Sequence, residues 1–113
     1  VTALTRGDIS DGDVTVATST TSVVDSFSSS TFRSARYTIS ISDATNSRFE
    51  IVEANVTHDG TDAYVSTFGS TTNYTGGLCV FTADISGNDV RLRVTNISDA
   101  STVFKFQRIA VDI

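Results

Sequence analysis

Apolar and polar residues alternate along most of this chain, and the phase of that alternation marks out its strands. The clearest stretch is Leu78–Ile97, LCVFTADISGNDVRLRVTNI. Folded at Gly87-Asn88, two residues that tolerate the left-handed backbone of a short loop, its arms match position for position. Ile85 then faces Val90, Ala83 faces Leu92 and Phe81 faces Val94 on one side. Asp84 faces Arg91 and Thr82 faces Arg93 on the other. A slip of one residue would turn Val90, Leu92 and Val94 to water, so the register is well specified.

The same reading extends along the chain. YTISIS puts Tyr37, Ile39 and Ile41 on one face, and Phe27 and Phe32 bracket the turn-rich spacer Ser28–Thr31. Val14 and Val16 suit a short strand after an Asp11-Gly12 turn. In Phe49–Thr57 the apolar phase switches, from Phe49 and Ile51 to Val52, Ala54 and Val56. Keeping one dry face through that switch takes an extra residue, which predicts a bulge near Ile51-Val52. Such a bulge brings Glu50 and Glu53 onto the same outward face. TVFKFQRIAVDI switches likewise, from Phe104 and Phe106 to Ile109, Val111 and Ile113, predicting a second bulge near Gln107-Arg108. Asp59-Gly60 forms the tip of another hairpin, in which Val56 faces Ala63 and Ala54 faces Val65. Gly69–Gly77 is the longest polar connection and predicts a protruding loop that exposes Tyr74.

Roughly seven or eight short strands with regular turn signals and no helical period predict an all-β, antiparallel two-sheet sandwich, jelly-roll-like. The strand around Arg36–Ile41 is expected near the terminal strand, Phe104–Val111. Residues 1–22, with their Thr/Ser run, read as a lead-in carrying at most an edge strand. Residues 23–113 form the sandwich domain. Composition agrees: β-branched residues abound, Lys occurs once, and Met, Trp and Pro are absent. A chain without Met that starts at Val1 suggests a processed protein or a segment of a longer one. A net charge of −5 argues against nucleic acid as a partner. No apolar run reaches the ~20 residues of a membrane helix, so no membrane insertion is expected.

Candidate chemistry is sparse. Glu50 with Glu53 would be a carboxylate pair of the glycosidase kind, but no apolar surroundings raise one pKa, and a solvated strand face is the better reading. His58, the sole histidine, flanks a turn, and no nucleophile elbow accompanies it. Cys79 is the sole cysteine and falls on the dry face with Phe81, which predicts a buried thiol. One His and one Cys do not make a zinc site, and Asp8, Asp11 and Asp13 read as an acidic turn, so no metal or cofactor is expected. Arg6-Gly7-Asp8 matches an integrin-type tripeptide, but a turn explains it as well. Asn55, Asn73 and Asn96 head glycosylation patterns that matter only in a secreted eukaryotic protein. Tyr64, Tyr74 and Phe68 remain as candidate glycan or partner contacts.

The words SARYTISISD, THDGTDAYVSTFGS, FTADISGNDVRLRVT and STVFKFQRIAV, spread over Arg33–Ile113, resemble a β-rich module of virion structural proteins in marine tailed bacteriophages, cyanophages especially. The resemblance implies a place, the virion exterior, and supplies no functional residues. With the absence of a catalytic constellation, it leads to a non-enzymatic module: a tail fibre or appendage domain, or a capsid decoration protein. The implied partners are other virion proteins and further copies of the chain, as a homotrimer. A physical motive is apolar residues left on the second sheet face, such as Ile51 and Phe68, or Phe104 and Phe106. The alternative is a carbohydrate-binding module recognising host-surface or other glycans.

Overall fold

The structure is a computed structural model that describes residues 4–113. It contains eight strands: β1 (Gly7–Val16), β2 (Thr21–Ser28), β3 (Phe32–Asp43), β4 (Arg48–His58), β5 (Ala63–Thr72), β6 (Cys79–Ser86), β7 (Asp89–Asn96) and β8 (Thr102–Asp112). They form two antiparallel sheets, one of order β1-β8-β3-β4-β5 and one of order β2-β7-β6. The expected all-β sandwich is what the chain builds. The finer jelly-roll label is not carried by this order, because β3, β4 and β5 follow one another as a meander within one sheet. No helix occurs among the described residues, so none is long and apolar enough to cross a membrane.

The β6–β7 hairpin has the register read from its alternation, with Ile85 opposite Val90, Ala83 opposite Leu92 and Phe81 opposite Val94. Gly87 takes φ +61, whereas Asn88 does not enter the left-handed region. That combination is a type II′ turn, which needs a positive φ only at its first central residue. Gly87→Val should therefore destabilise the protein by about 1–3 kcal/mol, read as a lower thermal midpoint. Across the wet face Arg91 donates to both carboxylate oxygens of Asp84, at 2.7 and 2.6 Å. This pair is partly solvated, so Arg91→Ala should cost less than about 1 kcal/mol.

β3 lies between β8 and β4, so the expected neighbourhood of Arg36–Ile41 and the terminal strand holds. Tyr37, Ile39 and Ile41 point into the sandwich and are buried, as is Phe104 from β8. Phe104 meets Phe81 of the other sheet edge-on at 6.3 Å between ring centres. Tyr37 and Phe106 make a similar contact at 5.6 Å. One end of the core is closed by a polar plug. Buried Asn96 donates to the carbonyls of Val16 and Ala100, both at 2.9 Å, and its side-chain oxygen accepts from the Ser98 amide at 2.8 Å. The Ser98 hydroxyl in turn donates to buried Asp43.

Neither expected bulge forms where the apolar phase switches. β4 pairs with β3 without interruption from Ser34–Thr57 to Asp43–Arg48. β8 is equally regular against β1 from Gly7–Val111 to Val16–Thr102. Both strands lie inside the sheet, so an inserted residue would break two ladders at once. Strict alternation instead turns Phe49, Ile51, Ile109, Val111 and Ile113 outward and brings Arg108 inside. Phe104 and Phe106 consequently belong to the core and are not available to a neighbouring chain.

Irregularities do occur in other ladders, one of them directly opposite the phase switch in β4. From Ile51–Thr71 to Glu53–Phe68 the pairing advances two residues on β4 and three on β5. The extra residue thus sits on β5, where Gly69 has φ +68. β2 bulges between Val23 and Asp25, which keeps Val24 buried and aims Asp25 between the sheets. The β4–β5 hairpin is displaced by two residues from the expected pairing, with Val56 opposite Val65 and Ala63 opposite His58. The cause is Asp59, whose side chain accepts the amides of Thr61 and Asp62 at 2.9 and 2.8 Å and so closes a longer loop. β1 is an edge strand that runs straight through Asp11-Gly12 without a turn.

Candidate functional site

The two outer faces of the sandwich differ in character. On the three-stranded sheet, Asp84, Arg91 and Arg93 form a partly solvated ionic cluster. The five-stranded sheet instead shows solvent a set of large apolar side chains. Ile9 of β1 lies opposite Ile109 of β8, and both are at least half exposed, at 59% and 50%. Val111 continues that patch along β8, and Ile113, just past the strand's end, is exposed as well. Phe49, Ile51 and Phe68 form a second patch toward β5.

Between the first patch and β5 runs a groove of about 650 Å³. Its floor is built from cross-strand neighbours: Ile109, Arg36, Asn55 and Ser66 in one row, and Val111, Ser34, Thr57 and Tyr64 in the next. Ile109 and Val111 make one rim and Tyr64 the other. The Arg36 guanidinium donates from Nε to Asn55 at 3.2 Å and lies 5.5 Å from the centre of the Phe68 ring. Tyr64 donates its hydroxyl to Asp59 at 3.2 Å. The amides of Asp62 and Thr61 hold the Asp59 carboxyl below the usual carboxylate range, and its charge raises the Tyr64 phenol. Tyr64 therefore keeps its proton, and the anchored hydroxyl fixes the ring at the rim.

Tyr64 and Phe68 thus share the outer face of β5. Tyr74 does not join them and is not the exposed loop aromatic expected from sequence. β5 continues to Thr72, which shortens the loop, and Tyr74 packs half-buried against the core with Arg48 3.9 Å above its ring centre. Glu50 and Glu53 lie on opposite faces of β4, contrary to expectation, because that strand keeps its phase. Glu50 turns to the inner side, where the Ser70 hydroxyl donates to it at 2.8 Å, and Glu53 stays on the outer face. A pair split in this way cannot flank one bond.

His58 is buried, and both ring nitrogens serve the backbone. Nε2 donates to the Phe32 carbonyl at 2.8 Å, and Nδ1 accepts the Gly60 amide at 3.0 Å. Asp8 pairs with Arg108 on the inner side, whereas Asp11 and Asp13 are exposed. Among the described residues no three His, Cys, Asp or Glu side chains come together as a metal site. Arg6-Gly7-Asp8 opens β1: the Arg6 carbonyl accepts the Asp112 amide at 2.9 Å. Of the glycosylation patterns, Asn96 is fully buried and Asn73 is bonded to Phe49 and Ser47, while Asn55 is exposed in the groove.

Cys79 is half-buried beside Phe81, at the edge of the core. Burial, with a smaller push from Glu50, raises its thiol to about 12. The thiolate is the reactive form, so alkylation of the native protein at neutral pH should be slow and should accelerate strongly in denaturant. Equal rates in the two conditions would place the thiol outside the core.

No protein-family model matches the chain, and no curated protein does either. Among solved structures, the chain is similar to part of the Acinetobacter phage vB_ApiP_P1 tailspike protein, with TM-score 0.50 and 19% identity over 92% of this chain and 21% of that one. It is also similar to tailspike gp49 of Acinetobacter baumannii bacteriophage Fri1, a capsular polysaccharide depolymerase (TM-score 0.48, 14% identity, 94% of this chain and 18% of that one). A third is the tailspike of A. baumannii phage AM24 (TM-score 0.43, 13% identity, 93% and 26%). The chain spans between 18% and 26% of the length of these tailspikes. At such identities the likeness is one of fold.

Proposed function

We propose that the chain is a non-enzymatic structural module on the exterior of a phage virion, a fibre or appendage domain that assembles as a homotrimer. The observation that carries this is the contrast between the two outer faces. On the smaller sheet the exposed Val23 and Val80 are interrupted by the Asp84, Arg91 and Arg93 charges, whereas on the larger sheet Ile9, Ile109 and Val111 adjoin one another and are all at least half exposed. An apolar patch on an otherwise ordinary strand face is what a neighbouring subunit covers. Cyclic symmetry buries it equally in every copy, whereas an open contact would propagate into filaments.

The fold likeness to part of a phage tailspike supports the virion placement and favours an appendage over capsid decoration. The non-enzymatic reading is supported by the split carboxylates, by a histidine whose nitrogens are both engaged with backbone, and by a protonated thiol. The test is direct. Antibodies raised against the folded chain should decorate intact particles of the phage that encodes it, at tail fibres or spikes, under the electron microscope. Labelling that requires disrupted particles would overturn the placement.

A second reading, carbohydrate binding, is favoured by one specific feature. Tyr64 is 54% exposed at the rim of a preformed groove, with its hydroxyl anchored and its ring free to stack.

A further inference from the structure

The groove on the outer face of the five-stranded sheet shares its Ile109 and Val111 rim with the apolar patch, but its floor holds a charged group that an apolar contact leaves unexplained. Arg36 stands at its centre, oriented by Asn55 and by the Phe68 ring. Of its nitrogens, only Nε is engaged in a hydrogen bond among the described residues. No carboxylate pairs with it there, whereas Arg48, Arg91, Arg93 and Arg108 each have an acidic partner and Arg33 donates to the His58 carbonyl at 2.9 Å. A guanidinium held in place with its terminal amino groups free is a preformed fork for a planar anion.

The surroundings narrow the class of ligand. β8 and β5 are separated by three strand spacings, about 14 Å, so the groove admits an extended chain lying across the floor. The floor offers hydroxyl and amide groups from Ser34, Asn55, Thr57 and Ser66, and Tyr64 presents a ring at the rim. Hydroxyl-bonding groups beside a ring suit a sugar, whose polar edge and apolar face differ in the same way. With one free cation in the groove and a net charge of −5 over the chain, a densely charged polyanion is repelled. A chain with isolated carboxylates is not.

From this we infer that the groove binds a carboxylate-bearing oligosaccharide, with Arg36 receiving the carboxylate and Tyr64 stacking on a neighbouring sugar ring. The inference rests on the carbohydrate reading and adds to it a charge requirement and a residue that meets it. Sequence alone did not single out Arg36, because its setting takes four strands to assemble.

The test is calorimetric titration of the whole chain with sialyllactose, which bears a single carboxylate, and a glucuronate-containing tetrasaccharide of the hyaluronan type, each beside its carboxyl-reduced counterpart. Titrations are run both where the chain is dissociated and where it is assembled, which separates sugar binding from self-association. The expected result is binding of at least one acidic sugar, weakened about tenfold or more by carboxyl reduction and to a similar extent by Arg36→Gln. Arg36 is exposed, so this variant should unfold at the same temperature as the parent. Tyr64→Ala should weaken acidic and reduced sugars alike. Equal affinity for acidic and reduced forms, or undiminished binding by Arg36→Gln, would overturn the carboxylate site and leave the carbohydrate reading standing. Failure of every sugar to bind at millimolar concentration would overturn both. A glutamate-rich peptide that binds as tightly and competes at Arg36 would overturn the sugar assignment.

Discussion

Asp25→Ala is expected to destabilise the fold by about 3–5 kcal/mol, because it leaves the buried Arg108 guanidinium with only the half-exposed Asp8 as a charged partner and takes the acceptor from the Tyr37 hydroxyl. Arg108 Nη1 donates to Asp25 at 2.8 Å, Nη2 donates to Asp8 at 3.2 Å, and the side chain is only 9% exposed. Tyr37 donates its hydroxyl to the same Asp25 carboxylate at 2.8 Å, and burial followed by that charge pushes its phenol far above the ordinary range. The cluster ties β2 of the smaller sheet to β1, β3 and β8 of the larger. Urea unfolding of the single variant measures the loss. Replacing both charges with apolar residues of similar size, as in Asp25→Leu with Arg108→Met, should recover much of it, since the one carboxylate that then loses its partner, Asp8, is 44% exposed and stays hydrated. A single-variant loss below about 1 kcal/mol would mean that water reaches Arg108 and that the sheets are not clamped there.

Phe104→Ala should cost a similar amount, about 3–5 kcal/mol, by opening a cavity where Phe104 meets Phe81. Ile109→Ser on the same strand should alter the stability of the dissociated chain by no more than about 0.5 kcal/mol. The contrast tests the phase of β8, since a bulge near Gln107-Arg108 would bury Ile109 and make both substitutions costly. Denaturant midpoints of the two variants at low protein concentration decide it.

How far the fold could be read from sequence depended on whether its determinants were local. The β6–β7 register was legible because a two-residue turn and a single dry face specify it together. The adjacency of β3 and β8 was also anticipated. The β4–β5 hairpin slipped by two residues because the Asp59 side chain lengthens its loop, an effect that alternation does not report. The supposed bulges in β4 and β8 rested on the premise that large apolar residues seek the chain's own core. An unbroken ladder on one side of each strand, β4 against β3 and β8 against β1, held the alternation in phase, and the displaced side chains became the surface that asks for a neighbour. The polar residue brought inside, Arg108, found partners about 80 to 100 positions away, beyond the reach of local pattern. At the candidate site, Tyr64 and Phe68 were visible as unexplained aromatics on β5. Arg36 and Asn55 were not, because a row across β8, β3, β4 and β5 exists only once the strand order is known.

Self-association through the outer face of the five-stranded sheet is the claim on which the assembly reading stands. Sedimentation equilibrium of the 113-residue chain, from micromolar to millimolar concentration, tests it most directly. The expected result is a reversible species of three times the 12.0 kDa chain mass, which Ile9→Asp with Ile109→Lys converts to a monomer that unfolds at the temperature of the dissociated parent chain. A parent chain that stays monomeric throughout, or a trimer indifferent to both substitutions, would contradict it.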